Sequence, residues 1–204
     1  MITSFHTINN LSTGEYREKG SKFIALALPV SSEDEVKSNL AEIKKKYFDA
    51  RHHCFAYVLG ADKARFRAYD DGEPNHSAGD PILGQLRSRN LTNVLVVVVR
   101  YFGGTKLGVG GLVTAYKTAA DEALKNAAVV EKQITLSLKF QFGYEAMPAV
   151  MKLVKDFNLK VISQSFEQIC TLEAEALLSV QDALMRKVEL LNATSTSIAI
   201  TVRE

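Results

Sequence analysis

Hydrophobic residues change period several times along the chain, and each change marks an element. Residues 4–30 read as strands with turns, closing on a continuous apolar strand from Phe23 to Val30. Ser32 and Glu35 have capping-box spacing, and Val36, Leu40, Ile43 and Tyr47 then fall on one helical face. Arg51 to Gly60 is a strand rich in aromatic and apolar side chains, with Arg65 to Asp70 as its hairpin partner. A polar loop follows, Asp70 to Pro81. Asp80 is the expected N-cap and Pro81 the first residue of a helix running to about Arg87. Val94 to Tyr101 is apolar at successive positions, as in a central strand covered on both faces. A helix is expected over Leu112 to Lys125.

Around Val129 to Ile134 the pattern resets. Leu136, Leu138, Phe140 and Phe142 alternate as in a half-buried strand, and Val150, Leu153, Val154 and Phe157 follow helical spacing after Pro148, with Asn158 as the stop. Lys160 to Phe166 and Gln168 to Ala174 read as strands. Ser179 is the expected cap of a helix carrying Val180, Ala183, Leu184, Val188 and Leu191, and Thr194 to Val202 is the last strand. The order βαββαβ is that of a ferredoxin-like domain. The expectation is an α/β (α+β) chain of two domains, residues 1–131 and 132–204.

Between the central strand and the helix after it lies YFGGTKLGVGGLVTAY, Tyr101 to Tyr116, with glycines at 103, 104, 108, 110 and 111. A strand, a glycine loop and a helix start in that order suit an anion. Glycine lets the backbone approach a ligand, the first amides of a helix lack internal partners, and its dipole favours negative charge there. The phosphate motifs with a lysine after the last glycine, or with a third glycine at position 113, are absent: Val109 and Val113 stand there. A tight turn without a ligand is the alternative.

Charge sharpens the picture. The 204 residues carry 25 basic and 23 acidic side chains, yet Pro81 to Ala120 contains no Asp or Glu and five cations: Arg87, Arg89, Arg100, Lys106 and Lys117. Locally unopposed cations attract phosphate-bearing partners. The expected phosphate or nucleic-acid site comprises Arg100, Tyr101, Gly103, Gly104, Lys106, Gly108, Gly110, Gly111 and Lys117. Phe102 is expected as a core plug, while Tyr101 and Tyr116 could plug the core or stack bases.

Other chemistry is weaker. His52 and Cys54 share one strand face and His53 takes the other, so His52 and Cys54 could join His76 or Asp80 around a metal, but no known ligand spacing is present. Asp70, Asp71 and Glu73 read first as turn builders, with catalysis the lesser reading. His53, Asp71, Glu73 and Ser77 are expected to wall the site. No catalytic residue, metal or cofactor is assigned. Apolar runs are too short to span a bilayer, the N-terminus lacks a secretory pattern, and Cys54 and Cys170 have no C-x-x-C partner, which points to reduced thiols in the cytoplasm.

Three stretches carry a family resemblance: HHCFAYVLG (His52 to Gly60), DDGEPNHSAGDPIL (Asp70 to Leu83) and NVLVVVVRYFGGTKLGVGGLVTAY (Asn93 to Tyr116). The chain resembles the IMPACT/YigZ family, and its C-terminal βαββαβ order resembles that of the bacterial members. Many members have Thr where this chain has Ser77, and Arg where it has Thr114, so no role needing a guanidinium is expected at that helix position. The resemblance implies a first domain folded like a ribosomal-protein domain, shared with elongation factors and small-molecule kinases, and a second like the last domain of elongation factor G. It also implies kinship with eukaryotic translational regulators that restrain a starvation-sensing kinase by competing for its activator.

The leading expectation is a non-catalytic cytoplasmic binding protein that engages RNA, the ribosome or another phosphate-bearing partner in translation control. The alternatives are a nucleotide-dependent small-molecule phosphotransferase or hydrolase, and an adaptor that binds a protein partner.

Overall fold

A computed structural model describes residues 1–194 and 197–203. Its elements run β1 (Ser4–Ile8), β2 (Ser12–Glu18), β3 (Ser21–Pro29), α1 (Glu33–Lys46), β4 (His52–Leu59), β5 (Arg65–Tyr69), α2 (Gly79–Ser88), β6 (Val94–Tyr101), α3 (Gly108–Lys125) and β7 (Val129–Gln133). They continue with β8 (Thr135–Phe142), α4 (Met147–Asp156), β9 (Lys160–Phe166), β10 (Cys170–Leu177), α5 (Gln181–Asn192) and β11 (Ile198–Arg203). The chain divides into two compact units, Ser4–Lys132 and Gln133 onward.

The first unit holds a five-stranded antiparallel sheet in the order β2-β3-β6-β4-β5. Its central strand β6 is buried from Val94 to Arg100 because both sheet faces are covered. Val94, Val96 and Val98 pack with Cys54, Ala56 and Phe23 beneath α2 and α3. Leu95, Val97 and Val99 pack with Phe55 and Tyr57 beneath Val36 and Ile43 of α1. Period-two geometry sends alternate valines to opposite cores, so an unbroken apolar run is required. β1 pairs with β7 in a separate ribbon.

Helix starts depart from expectation in three places. Asp80 is not the N-cap of α2. That position is Ala78, and the acceptor for the Ala78 and Gly79 amides is Oδ1 of the distant Asp70, at 3.0 and 2.8 Å. Asp70 Oδ2 also accepts from the His76 amide at 2.9 Å. The polar loop folds back on itself, so a carboxylate from its start caps the helix at its end. Asp80 instead meets His76 Nδ1 at 2.6 Å on the surface. The second departure is α3, which begins at Gly108, a turn earlier than expected, so three of the five glycines lie inside the helix. Third, Ser179 caps nothing: it lies in a 3-10 turn, Leu178–Val180, that leads into α5. At α1 half of the capping box forms: the Glu35 amide donates to Ser32 Oγ at 3.2 Å, while the Glu35 carboxylate accepts from the Ser31 amide at 2.6 Å instead of from Ser32.

The second unit is a four-stranded antiparallel sheet in the order β11-β8-β10-β9, the ferredoxin-like arrangement. Leu138, Phe140, Leu172 and Ala174 point into one core with Val150, Leu153, Leu184 and Val188 from the two helices. The last strand starts at Ile198 rather than Thr194; Ser195 and Thr196, part of the expected strand, lie outside the described residues. Among the described residues no helix is long and apolar enough to cross a membrane.

Candidate functional site

A cleft of 440 Å³ opens in the first unit where the end of β6 meets the start of α3. Its lining includes Arg51, His52, Glu73, Arg100, Phe102, Lys106 and Val109. That volume lies in the range of small-molecule sites. The wall of the cleft is built by three adjoining segments of the fold: the start of β4, the polar loop before α2, and the β6–α3 connection.

The start of α3 is an open set of donors. Its N-cap, Leu107, offers no side-chain acceptor, and its first turn carries no acidic residue. The amides of Gly108, Val109 and Gly110 find no acceptor among the described residues, and all three residues are exposed. These are the amides that a helix leaves unpaired at its N-terminus, where the dipole is positive. The glycines around them differ in kind. A Cβ on Gly103 would lie 1.8 Å from the carbonyl carbon of Gly20, so this glycine lets two chain segments touch. Gly108 has φ +72°, a backbone state that side chains disfavour. Gly110 has neither reason: no atom lies within 4 Å of its would-be Cβ.

Beside this turn lies a buried polar network. Arg100 Nη1 donates to Glu73 Oε1 at 2.6 Å, with only 8% and 4% of the two side chains exposed. The Tyr116 hydroxyl donates to the same oxygen at 2.7 Å. Cys54 Sγ donates to the Asp70 carbonyl at 2.9 Å and lies 3.3 Å from the Tyr116 hydroxyl. Burial pushes the Cys54 thiol and the Tyr116 phenol well above their ordinary ranges, so neither is a ready nucleophile. The Arg100 guanidinium lies over Phe23 and Phe102, 5.5 and 5.6 Å from their centroids. Its Nε is buried and has no hydrogen-bond partner. A buried charge-bearing donor without a partner is costly, and such a group calls for an explanation.

His52 also faces the cleft. Its Nδ1 lies 2.8 Å from the Asp71 carbonyl. A carbonyl accepts only, so Nδ1 carries the proton and neutral His52 keeps a lone pair on Nε2.

The residues expected from the sequence are only partly gathered. Lys106, Arg100, Gly108 and Glu73 line the cleft. Arg100 is not a surface cation; it is buried against Glu73 because β6 runs through the core and the loop glutamate folds over its end. The five cations do not form one patch. Arg89 pairs with Asp121 at 2.6 Å, Arg87 stacks on Phe66 at 4.4 Å, and Lys117 is exposed outside the cleft. Tyr101 turns toward α1, donating to Asp49 at 2.8 Å. Gly104 has φ +88° in the exposed connection, and a Cβ on Gly111 would lie 3.0 Å from the Leu107 side chain.

The supposed wall residues mostly shape the polar loop instead. Asp71 accepts from the His53 amide at 2.7 Å, His53 Nε2 reaches the Tyr47 carbonyl at 3.0 Å, and Ser77 Oγ donates to the Pro74 carbonyl at 2.6 Å. Phe102 is not the expected core plug, and of the two roles open to Tyr116 the buried one holds. Tyr116 is the fully buried plug, edge-on to Phe23 at 5.1 Å, and Phe102 is 52% exposed at the cleft. Arg51 and His52 were not in the expected anion site. Arg51 precedes and His52 opens β4, and the register of that strand, unlike their residue type, decides that they reach it. Among the described residues, no three His, Cys, Asp or Glu side chains converge as a metal site.

The model of the Impact N-terminal domain matches residues 19–124, the span that builds this cleft. The chain belongs to the IMPACT family. It is 40% identical over 167 residues to the IMPACT family member YvyE of Bacillus subtilis, covering 81% of this chain and 77% of that one. It is 33% identical over 151 residues to YigZ of Escherichia coli, covering 73% and 74%. A crystal structure of a hypothetical protein matches all of this chain and 99% of its own, with a TM-score of 0.73 at 27% identity.

Proposed function

We propose that this IMPACT-family member is a cytoplasmic, non-catalytic binding protein whose cleft receives a phosphate-bearing partner in translation control, RNA or the ribosome. One observation carries this: the Gly108 and Val109 amides are unpaired and belong to the lining of the cleft, beside Arg51, Lys106 and Arg100. Backbone donors at a helix start plus nearby cations form an anion site that costs no side-chain ordering. The translation context comes from the family resemblance. The cytoplasmic setting is supported by two free, buried cysteines, Cys54 and Cys170.

The test is fluorescence anisotropy with single-stranded RNA, and co-sedimentation with ribosomes, across a salt series. Affinity falls steeply as salt rises. Lys106→Ala and Arg51→Ala each weaken binding and lower the salt slope by about one. Absence of binding at low salt, or binding unchanged by both variants, overturns the proposal.

A further inference from the structure

The cleft has a more particular complementarity than a generic basic surface. Resting on the phosphate-binding reading above, we infer that it recognises a terminal phosphomonoester on a nucleotide-sized group, with the base against Phe102. Two sources share this chemistry: a free mononucleotide and the 5′-phosphate end of single-stranded RNA.

Four observations support the inference. The first is donor number. The unpaired amides of Gly108 and Val109 line the cleft together with the Lys106 ammonium and the Arg51 guanidinium. A phosphomonoester offers three terminal oxygens to such a set, whereas an internal phosphodiester offers two. The second is charge. Three cations line the cleft, Arg51, Arg100 and Lys106, against one carboxylate, Glu73, a balance of two positive charges. A phosphomonoester carries about −1.5 to −2 at neutral pH, an internal diester about half that.

The third is Arg100. More than nine-tenths of its side chain is buried, it forms part of the cleft wall, and its Nε has no partner. Independently of the helix start, this guanidinium adds fixed positive charge to the cleft wall. The fourth is Phe102. The ring is 52% exposed, lines the cleft, and has the Arg100 guanidinium 5.6 Å from its centroid. An exposed ring beside a phosphate site is a stacking platform for a base. The cleft volume of 440 Å³ suits a ligand of this size.

Isothermal titration with five probes tests the inference: AMP, adenosine, inorganic phosphate, and a short oligoadenylate with either a 5′-phosphate or a 5′-hydroxyl. AMP binds at least about tenfold tighter than adenosine, and the 5′-phosphorylated oligomer tighter than its hydroxyl twin by a similar factor. If AMP equals the phosphorylated oligomer, the free nucleotide suffices; if the oligomer is tighter, the RNA end is the target. Val109→Asp puts a carboxylate in the exposed first turn of α3 at the cleft and abolishes the preference for phosphate, while circular dichroism shows the fold retained. Phe102→Ala weakens AMP and leaves inorganic phosphate unchanged. RNA binding that ignores the 5′ group overturns this inference and leaves the broader reading standing. Failure of every probe to bind, RNA included, overturns both.

Discussion

Gly103 and Gly110 lie seven residues apart in one glycine-rich stretch, yet alanine at the two sites is expected to act in opposite directions. At Gly103 a Cβ would fall 1.8 Å from the Gly20 carbonyl carbon, 2.1 Å from the Ser21 nitrogen and 2.2 Å from the Gly20 oxygen. All are backbone atoms, so relief requires the β2–β3 turn to move. Overpacking of this kind costs about 1–3 kcal/mol, and rigid backbone on both sides puts Gly103→Ala at or above the upper end. Gly110 lies in the first turn of α3 with nothing near its would-be Cβ and no positive φ. Replacing a helical glycine with alanine gains about 0.5–1 kcal/mol. The two variants should therefore differ by about 3–4 kcal/mol. Native-state hydrogen exchange of the β6 amides reads the stability of this unit without requiring the two units to unfold together. Gly110 lines a neighbouring groove with Glu18 and Lys19 rather than the cleft, so Gly110→Ala should leave phosphate binding unchanged. If Gly110→Ala destabilises the unit, or Gly103→Ala does not, the reasoning fails.

Other substitutions probe the cleft wall. Glu73→Ala leaves the Arg100 guanidinium buried without its carboxylate and should cost about 3–5 kcal/mol, whereas replacing both with apolar residues of similar volume should cost much less; chemical denaturation of single and double variants checks this. Asp70→Ala removes the acceptor of the His76, Ala78 and Gly79 amides and should destabilise by about 2 kcal/mol, with the loss of α2 order visible in amide exchange. Burial raises Cys54 and Tyr116 above their ordinary values of 9.0 and 10.0. The folded state therefore holds their protons more tightly, and their contribution is intact below pH 9 and declines as pH rises beyond it. Cys54→Ala should flatten that alkaline decline, and the native thiol should resist thiol reagents at pH 8 until the unit unfolds.

The local code reports local structure well here. The valine run of β6 marks a strand with two covered faces because each face needs its own apolar set, and the Ser32–Glu35 spacing marks the start of α1. The alternation from Leu136 to Phe142 marks β8 for the same reason. Long-range pairings are another matter. Arg100 and Glu73 are 27 residues apart, and Arg89 and Asp121 are 32 apart; nothing in their spacing says that each pair meets. The acid-free span from 81 to 120 suggested a basic patch, but acids from outside that span reach in to neutralise two of its cations. Asp80 had the better local position for capping α2, and Asp70 takes the role because the loop brings its carboxylate back to two adjacent amides. Glycine's low helix propensity hid the first turn of α3. Phe102 was expected as a plug and is exposed because it falls just past the end of β6, while Tyr116, for which both roles were open, is turned into the core by the phase of α3.

The most direct test of the account is a ¹⁵N-correlated NMR titration with the 5′-phosphorylated oligoadenylate at low salt, following the cleft-lining amides of Lys106, Gly108 and Val109. The account predicts saturable shifts concentrated at these three signals, reversed by added salt. Shifts confined to other surfaces, such as the exposed Lys117 side of α3, or no shifts at saturating ligand, would contradict it.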